Sequence, residues 1–313
     1  MKGFLYKIAG FFVLVILVLA LSLYYIPDVV ARTSILAGLI DKHEALQKIK
    51  TEKIIFVGGS NLSFGLDSKK IIEAYKKPVI NMGVHAGIGL EYIMNDVKAY
   101  INKGDVVVLV PEYENFYTDN FYGEMELVSV LFDINPAGRK SVDSKQWEHL
   151  LKYIPTYSAK KIKNYIPTLF RKSPVASEID IYDRRSFNEF GDAYIHWALP
   201  NQNYMPSKRN SGAEKINPEV IEFIKSFKEY VKGRGAKLVI LPPVIEEQSY
   251  NNQDKMINEI EASLDENNIG FMVKPDMYKF KADYFFNSYY HLNKKGVDKR
   301  TEMVIGNLEP VLR

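Results

Sequence analysis

The 313-residue chain contains no cysteine, and this absence excludes several classes of site. Disulfides, cysteine-ligated zinc, iron–sulfur centres and thiol catalysis all require a sulfhydryl group. A domain of this size buries enough apolar surface to fold without disulfides, so the absence is compatible with a location outside the cytoplasm. Charge of one sign is also lacking, because 41 basic and 38 acidic residues leave a net charge of +3. Nothing in this balance indicates nucleic acid as a partner.

One segment, residues 8–26, has no charged residue and consists mostly of Leu, Val, Ile, Phe and Ala. A helix of about 20 apolar residues spans the ~30 Å hydrocarbon layer of a bilayer. Tyr24 and Tyr25 lie at its end, where aromatic rings favour the headgroup level. A cleaved signal peptide is the alternative, but its apolar core is shorter and a small-residue cleavage site follows it. The sequence therefore predicts a transmembrane anchor at 1–27 that contacts lipid through residues 8–26.

Charges on either side of this segment indicate its orientation. Lys2, Lys7 and the amino terminus precede the segment, whereas Asp28 follows it with Arg32 as the nearest cation. The positive-inside rule then places the N-terminus in the cytoplasm. We therefore expect a single-pass membrane protein whose main domain is extracytoplasmic.

After a polar linker or helix at 28–50, short apolar runs alternate with amphipathic patterns. The predicted strands are residues 53–57, 78–81, 105–110, 237–241 and 270–273. The predicted helices lie near residues 68–75, 90–101, 218–232, 252–266 and 294–308. Such short, apolar runs suit parallel strands buried on both faces, and their alternation with helices is typical of a parallel α/β sheet. The pattern lapses at about 112–215, which we interpret as an insertion, with helices around 144–170, within a domain at 51–313.

Polar groups follow the predicted strands, at the edge where open α/β sheets bind ligands. These groups are Gly58–Asn61, Asn81–Gly83, Pro111–Asn115 and, before the last helix, Ser288–Asn293. Ser60 lies on a glycine-rich turn between strand and helix, which suits a nucleophile because N–H groups there face a developing oxyanion. A serine nucleophile needs a base, and His291 is the candidate among five histidines. Alone, each residue also fits an ordinary turn; together and in this order they are more specific.

These motifs resemble those of the SGNH, or GDSL-like, hydrolase superfamily. They are most similar to its membrane-anchored branch, which includes the D-alanyl-transfer protein of teichoic acids and the alginate O-acetylation proteins. The resemblance covers about residues 53–115 and 218–310, with matching blocks at Ile54–Asn61, Ile80–Gly83 and Tyr290–Gly296. It implies a three-layer, flavodoxin-like parallel sheet flanked by helices, in a protein of the bacterial cytoplasmic membrane.

The resemblance also implies roles for single residues. Ser60 would be the nucleophile, His291 the general base, and the Ser60 and Gly83 N–H groups the oxyanion hole. The third block of the family carries an oxyanion Asn, which here is missing or displaced to Asn115. One such donor is worth roughly 10²–10³ in rate.

A second departure concerns the carboxylate that orients the histidine. The family places Asp three residues before its His, where this chain has Ser288, and some relatives place it at the position of Asn287. Asp283 is the nearest preceding acid, eight residues before His291. These three residues are the candidate orienters, and loss of the carboxylate would weaken catalysis because an Asp to Asn change in a Ser-His-Asp enzyme costs about 10⁴ in rate.

Residues beside the predicted nucleophile are candidates for substrate binding: Asn61, Glu112, Tyr113 and Glu114. Glu112 and Glu114 would share one face of a strand, where they bind a metal or a hydroxyl group or form a solvated strand end. No metal-binding motif supports the first reading, so we expect neither metal nor cofactor. An aromatic cluster at 113–122 either lines a carbohydrate groove or packs the insertion. Phe187–Asp192 with His196 is similar to a stretch of related envelope proteins, without an assigned role.

Two functions of different classes are compatible with these residues. The first is a serine esterase or O-acyltransferase that acts on envelope polysaccharide or a lipid-linked glycan through an acyl-Ser60 intermediate. The second is a non-catalytic partner that binds polymer or a multi-pass membrane-bound O-acyltransferase, which the missing Asp and Asn favour. Nucleotide binding is a weaker third hypothesis, because Gly58–Gly65 lacks both G-x-G-x-x-G and the P-loop lysine.

Overall fold

The computed structural model describes residues 2–28, 30–117, 119–170, 180–208 and 215–312. Parts of the predicted insertion, residues 118, 171–179 and 209–214, lie outside the described chain, as do residues 1 and 29. The strands are β1 (Ile54–Gly58), β2 (Val79–Asn81), β3 (Val106–Val110), β4 (Lys237–Ile240), β5 (Ile245–Glu246) and β6 (Lys279–Phe280).

Twelve α-helices are present in the described ranges. They are α1 (Lys2–Tyr25), α2 (Gly38–Lys48), α3 (Ser60–Ser63), α4 (Ser68–Tyr75), α5 (Leu90–Val97), α6 (Met125–Ser129), α7 (Ser144–Leu150), α8 (Ile154–Tyr165), α9 (Pro218–Gly233), α10 (Glu247–Asn252), α11 (Asp254–Glu266) and α12 (Lys294–Leu312). A π-helical turn, Val130–Ile134, continues α6, and short 3-10 turns join several of the elements.

Four strands form a parallel sheet in the order β2-β1-β3-β4. Ile54 of β1 is paired with Val79 on one side and Val106 on the other, and Val106 is paired with Lys237. All carboxyl ends therefore meet at one edge. The predicted α/β fold, a parallel sheet flanked by helices with an apolar helix before it, is confirmed.

Alternate residues of the strands pack on opposite faces of the sheet, as the period of a strand requires. Ile55 and Val57 face the cluster that includes α5 and α9, whereas Ile54 and Phe56 face α4 and α12. Both faces are buried, which explains why the strands read as continuous apolar runs rather than as an alternation.

The strand predicted at 270–273 is wrong. Met272 N donates to Ile240 O over 2.8 Å, but this contact is not extended into a ladder. Pro275 begins a 3-10 turn two residues after the segment and lacks the N–H group that a ladder needs. A separate parallel pair, β5 with β6, forms instead.

The insertion packs against the same core as the sheet. Leu127, Val130, Leu150 and Tyr157 are buried in the cluster that also contains Ile55 of β1. The insertion is therefore continuous with the α/β body in the parts that the structure describes.

The apolar helix α1 is 24 residues long, and its length and composition suffice to cross a membrane. Its residues 3–18 are exposed, but Ser22 and Leu23 are buried against the insertion. Lys161 of α8 donates to Leu23 O at 2.8 Å and pairs with Asp133. The end of α1 is thus bonded to the folded body.

The segment predicted as a linker or helix at 28–50 contributes to the fold. Asp28 N donates to Asp133 Oδ1 at 3.1 Å, and α2 follows with Leu39 and Leu46 buried in the main core. A helix is therefore present there, and it packs beside β2.

Candidate functional site

The predicted nucleophile and base lie in one region at the carboxyl edge of the sheet. Ser60 begins α3 directly after β1, and Phe64 N donates to Ser60 O one turn later. The imidazole of His291 stacks on the Phe64 ring with centroids 4.3 Å apart, and Leu292 N donates to Phe64 O. Within the described residues no hydrogen bond joins Ser60 to His291, although both lie beside Phe64.

His291 is held in one tautomer by an amide. Its Nδ1 lies 2.9 Å from Asn287 Oδ1, and Asn287 Nδ2 donates to the Tyr182 hydroxyl, which fixes the orientation of the amide. An amide oxygen only accepts, so Nδ1 carries the proton and Nε2 keeps its lone pair. No described residue bonds to Nε2, and this atom is not sealed from solvent.

Burial is the largest cause that lowers the pKa of His291 to about 3, and the neighbouring His196 and His85 contribute in the same direction. The ring is therefore neutral at pH 7, which is the form a general base requires. A neutral amide stabilises the imidazolium product less than a carboxylate would.

Among the three candidate orienters, Asn287 is the one that contacts the ring. Ser288 O accepts from His291 N, and Ser288 Oγ accepts from Tyr290 N, so this residue shapes the loop. Asp283 lies at the surface and pairs with Lys295 at 2.7 Å, which directs its carboxylate away from the histidine.

Besides the Ser60 N–H, two groups were predicted to bind an oxyanion: the Gly83 N–H and the Asn115 side chain. Both have hydrogen-bond partners within the protein. Gly83 N donates to Asn81 Oδ1 at 3.0 Å. Asn115 Oδ1 accepts from Glu112 N, and Asn115 Nδ2 donates to Asn120 Oδ1, so Asn115 caps the 3-10 turn that follows β3. Neither group is directed toward Ser60 in this arrangement.

A buried chain of polar side chains lies behind Ser60. Glu112 Oε1 accepts from Ser60 Oγ at 3.5 Å, from Asn61 N at 3.1 Å and from Asn61 Nδ2 at 3.2 Å. The guanidinium of Arg300 in turn donates to Asn61 O, and to Asn61 Oδ1 at 3.1 Å. Asn61 is fully buried, so it cannot contact a substrate as predicted.

Arg300 was not predicted as part of the site, although the sequence carries a signal. It is 1% exposed and lies on the apolar stripe of α12 with Val297 and Val304. A cation on the buried face of an amphipathic helix requires acceptors inside the protein.

The two glutamates after β3 do not lie in a strand, so the shared-face prediction is wrong. Glu112 caps a 3-10 turn, Tyr113–Phe116, that contains Glu114. Glu114 accepts from the Tyr290 hydroxyl at 2.7 Å and from the Tyr289 hydroxyl at 3.3 Å. Burial and the charge of Glu114 raise the pKa of Glu112 to about 7. Among the described residues no group of three acidic or histidine side chains is arranged to hold a metal.

The aromatic cluster packs the insertion rather than lining a groove. Its buried members are Tyr113, Phe116, Phe121 and Tyr122. Tyr113, predicted to bind substrate, is fully buried, and its N–H donates to the Tyr290 hydroxyl.

Residues 187–192, which had no assigned role, contact the second sequence block, Ile80–Gly83. Asp192 accepts from Asn81 Nδ2 at 2.9 Å and from Ser68 N and Oγ at 2.8 Å. Lys42 donates to Asn81 O and to Gly191 O, and burial lowers its pKa to about 7. The stretch thus clamps the residues that follow β2.

His196 and Gly59 lie next to His291 and Ser60, respectively. His196 Nε2 lies 3.0 Å from Leu292 O, next to His291. A Cβ atom at Gly59 would lie 2.6 Å from Glu112 Oε1 and 3.2 Å from the backbone of Ala86, so a larger residue before Ser60 would displace the Glu112 carboxyl group.

No protein-family model and no curated protein matches this chain.

Proposed function

We propose that the chain is a serine esterase or O-acyltransferase that acts through an acyl-Ser60 intermediate. The observation that supports this most directly is the state of His291. Its Nδ1–H is held by Asn287, its ring is neutral, and its Nε2 is available beside the turn that carries Ser60.

The reaction requires a hydrogen bond between Ser60 Oγ and His291 Nε2, and catalytic hydrogen bonds of this kind often tighten only when substrate binds. Ser60 Oγ attacks the acyl carbon while its proton passes to His291 Nε2 and the carbonyl electron pair moves onto oxygen. The alkoxide of the leaving group then takes the proton from His291, which leaves acyl-Ser60. Water or a sugar hydroxyl gives its proton to His291, bonds to the acyl carbon and releases Ser60, which takes the proton back.

The apolar helix supports a substrate at the cell envelope. We propose that α1 spans the bacterial cytoplasmic membrane with the N-terminus inside, which places the catalytic domain near envelope polysaccharide or lipid-linked glycans. A helix of this length and composition, exposed over residues 3–18, supports the proposal.

A fluorophosphonate probe tests the nucleophile in the full-length protein in detergent. We expect wild type to be labelled at one serine and Ser60→Ala to lose labelling by at least about 10³-fold with unchanged thermal stability. Ser144→Ala, at an exposed serine at the start of α7, is the matched control and keeps full labelling. Equal labelling of wild type and Ser60→Ala would contradict the proposal.

The second candidate is a non-catalytic partner of a membrane-bound O-acyltransferase. The internal bonds of Gly83 and Asn115 and the missing carboxylate on His291 favour it. If Ser60→Ala supports polymer acylation in cells as well as wild type does at equal protein level, this function replaces the first.

A further inference from the structure

We propose that Glu112 controls Ser60 through its own protonation state: the neutral acid releases the Ser60 hydroxyl to His291, and the carboxylate holds it back. This inference deepens the proposed function and rests on it. Glu112 is then a positioning residue that acts through Ser60.

The contacts place one carboxyl oxygen at the centre of the nucleophile turn. Glu112 Oε1 accepts hydrogen bonds from the Ser60 hydroxyl and from the backbone and side-chain nitrogens of Asn61. The Ser60 hydroxyl has this carboxyl group as its hydrogen-bond partner among the described residues. A charged Glu112 therefore competes with His291 for the Ser60 proton.

The surroundings leave this charge without a matching cation in contact. Glu114 on the same turn carries the same charge, and Tyr289 and Tyr290 from the loop before α12 are neutral phenols at physiological pH. Arg300 from α12 is the cation behind the turn, but its guanidinium donates to Asn61 rather than to Glu112. Desolvation and like charge both favour the neutral acid.

The reaction itself adds a second reason. The tetrahedral species carries a negative charge within a few ångströms of Ser60 Oγ, and a carboxylate 3.5 Å from that oxygen opposes it. A neutral acid removes this repulsion while its carbonyl oxygen still accepts from Asn61. The charged form therefore opposes the reaction, and the neutral form is the reactive one.

The pH dependence of labelling tests the inference. The neutral fraction of an acid with a pKa near 7 falls roughly 10²-fold between about pH 6 and about pH 9. We expect the rate of fluorophosphonate labelling of full-length protein in detergent to fall by that amount, with the Ser60→Ala background subtracted. His291 stays neutral over this range and does not contribute to the fall.

Two variants separate the role of Glu112 from that of its surroundings. Glu112→Gln keeps an oxygen for Asn61 but cannot ionise, so its labelling rate should change less than about threefold over the same range. Glu114→Gln removes the like charge and should shift the wild-type fall toward lower pH.

The outcomes distinguish the inference from its premise. A wild-type profile that rises with pH, or a fall that Glu112→Gln shares, overturns this inference alone. Loss of the fall in Glu112→Gln with labelling retained supports it, because a merely structural role would not change the pH profile. Absence of Ser60 labelling at every pH overturns the proposed function together with the inference.

Discussion

Two buried clusters of charge, one at the end of α1 and one behind Ser60, are built in opposite ways. At the end of α1, Lys161 Nζ lies 3.0 and 2.8 Å from the two oxygens of Asp133, so this carboxylate contacts an opposite charge. Behind Ser60, Arg300 bonds to the amide of Asn61, and Glu112 faces the like charge of Glu114.

The difference indicates what each cluster does. A matched pair holds its elements in place, as the fully buried pair of Lys53 and Asp105 also does at the other end of the sheet. An unmatched acid has a pKa close to physiological pH and changes its charge there. Burying an acid without an opposite charge costs free energy. Such an acid beside Ser60 therefore indicates a functional role for Glu112.

Breaking the matched pair should have the largest effect. Asp133→Ala leaves Lys161 buried without its partner, so we expect the free energy of unfolding to fall by about 3–5 kcal/mol. Urea unfolding of full-length protein in detergent, followed by circular dichroism, measures this loss. The double variant Asp133→Ala, Lys161→Met should recover part of it. A single variant as stable as wild type would contradict the matched-pair reading.

Two substitutions of Asn287, whose side-chain amide contacts His291, should change the labelling rate by intermediate amounts and in opposite directions. Asn287→Ala frees the ring tautomer and should slow fluorophosphonate labelling by about 10–10²-fold. Asn287→Asp provides the carboxylate that stabilises imidazolium, raises the pKa of His291 and should restore or exceed the wild-type rate. Equal rates in all three proteins would show that the contact between Asn287 and His291 has no role in the chemistry.

The smallest effect is expected at the surface. Asp283 and Lys295 form an exposed pair, so Asp283→Ala should change the free energy of unfolding by less than about 1 kcal/mol and leave labelling unchanged. Urea unfolding and labelling rates check both values. A loss of labelling would restore Asp283 as the residue that orients His291.

The sequence predicted the sheet and the positions of Ser60 and His291 because both depend on local patterns. Short apolar runs define the buried strands, and the carboxyl ends of parallel strands share an edge. The neighbouring groups at that edge therefore followed from topology.

The contacts between these groups could not be predicted in the same way. Arg300 and Asn61 are 239 positions apart, and no local pattern indicates their contact. Asn115 was expected to bind an oxyanion, but its side chain satisfies the backbone of its own turn, a competing use that is common for asparagine. The orientation of the Asn115 side chain is thus set by capping of its own turn rather than by the function that the resemblance implied.

The bonded end of α1 has a mechanical consequence for a chain anchored as proposed. A free tether lets a domain sweep a volume whose radius grows with linker length, and the effective concentration of acceptors depends on that length. Here Leu23 and Asp28 are hydrogen-bonded to the folded body, so the end of α1 is attached directly to the domain rather than through a free linker. Under the proposed function, the distance between the bilayer and Ser60 would then be set by the fold, and it would restrict which acceptors can reach Ser60.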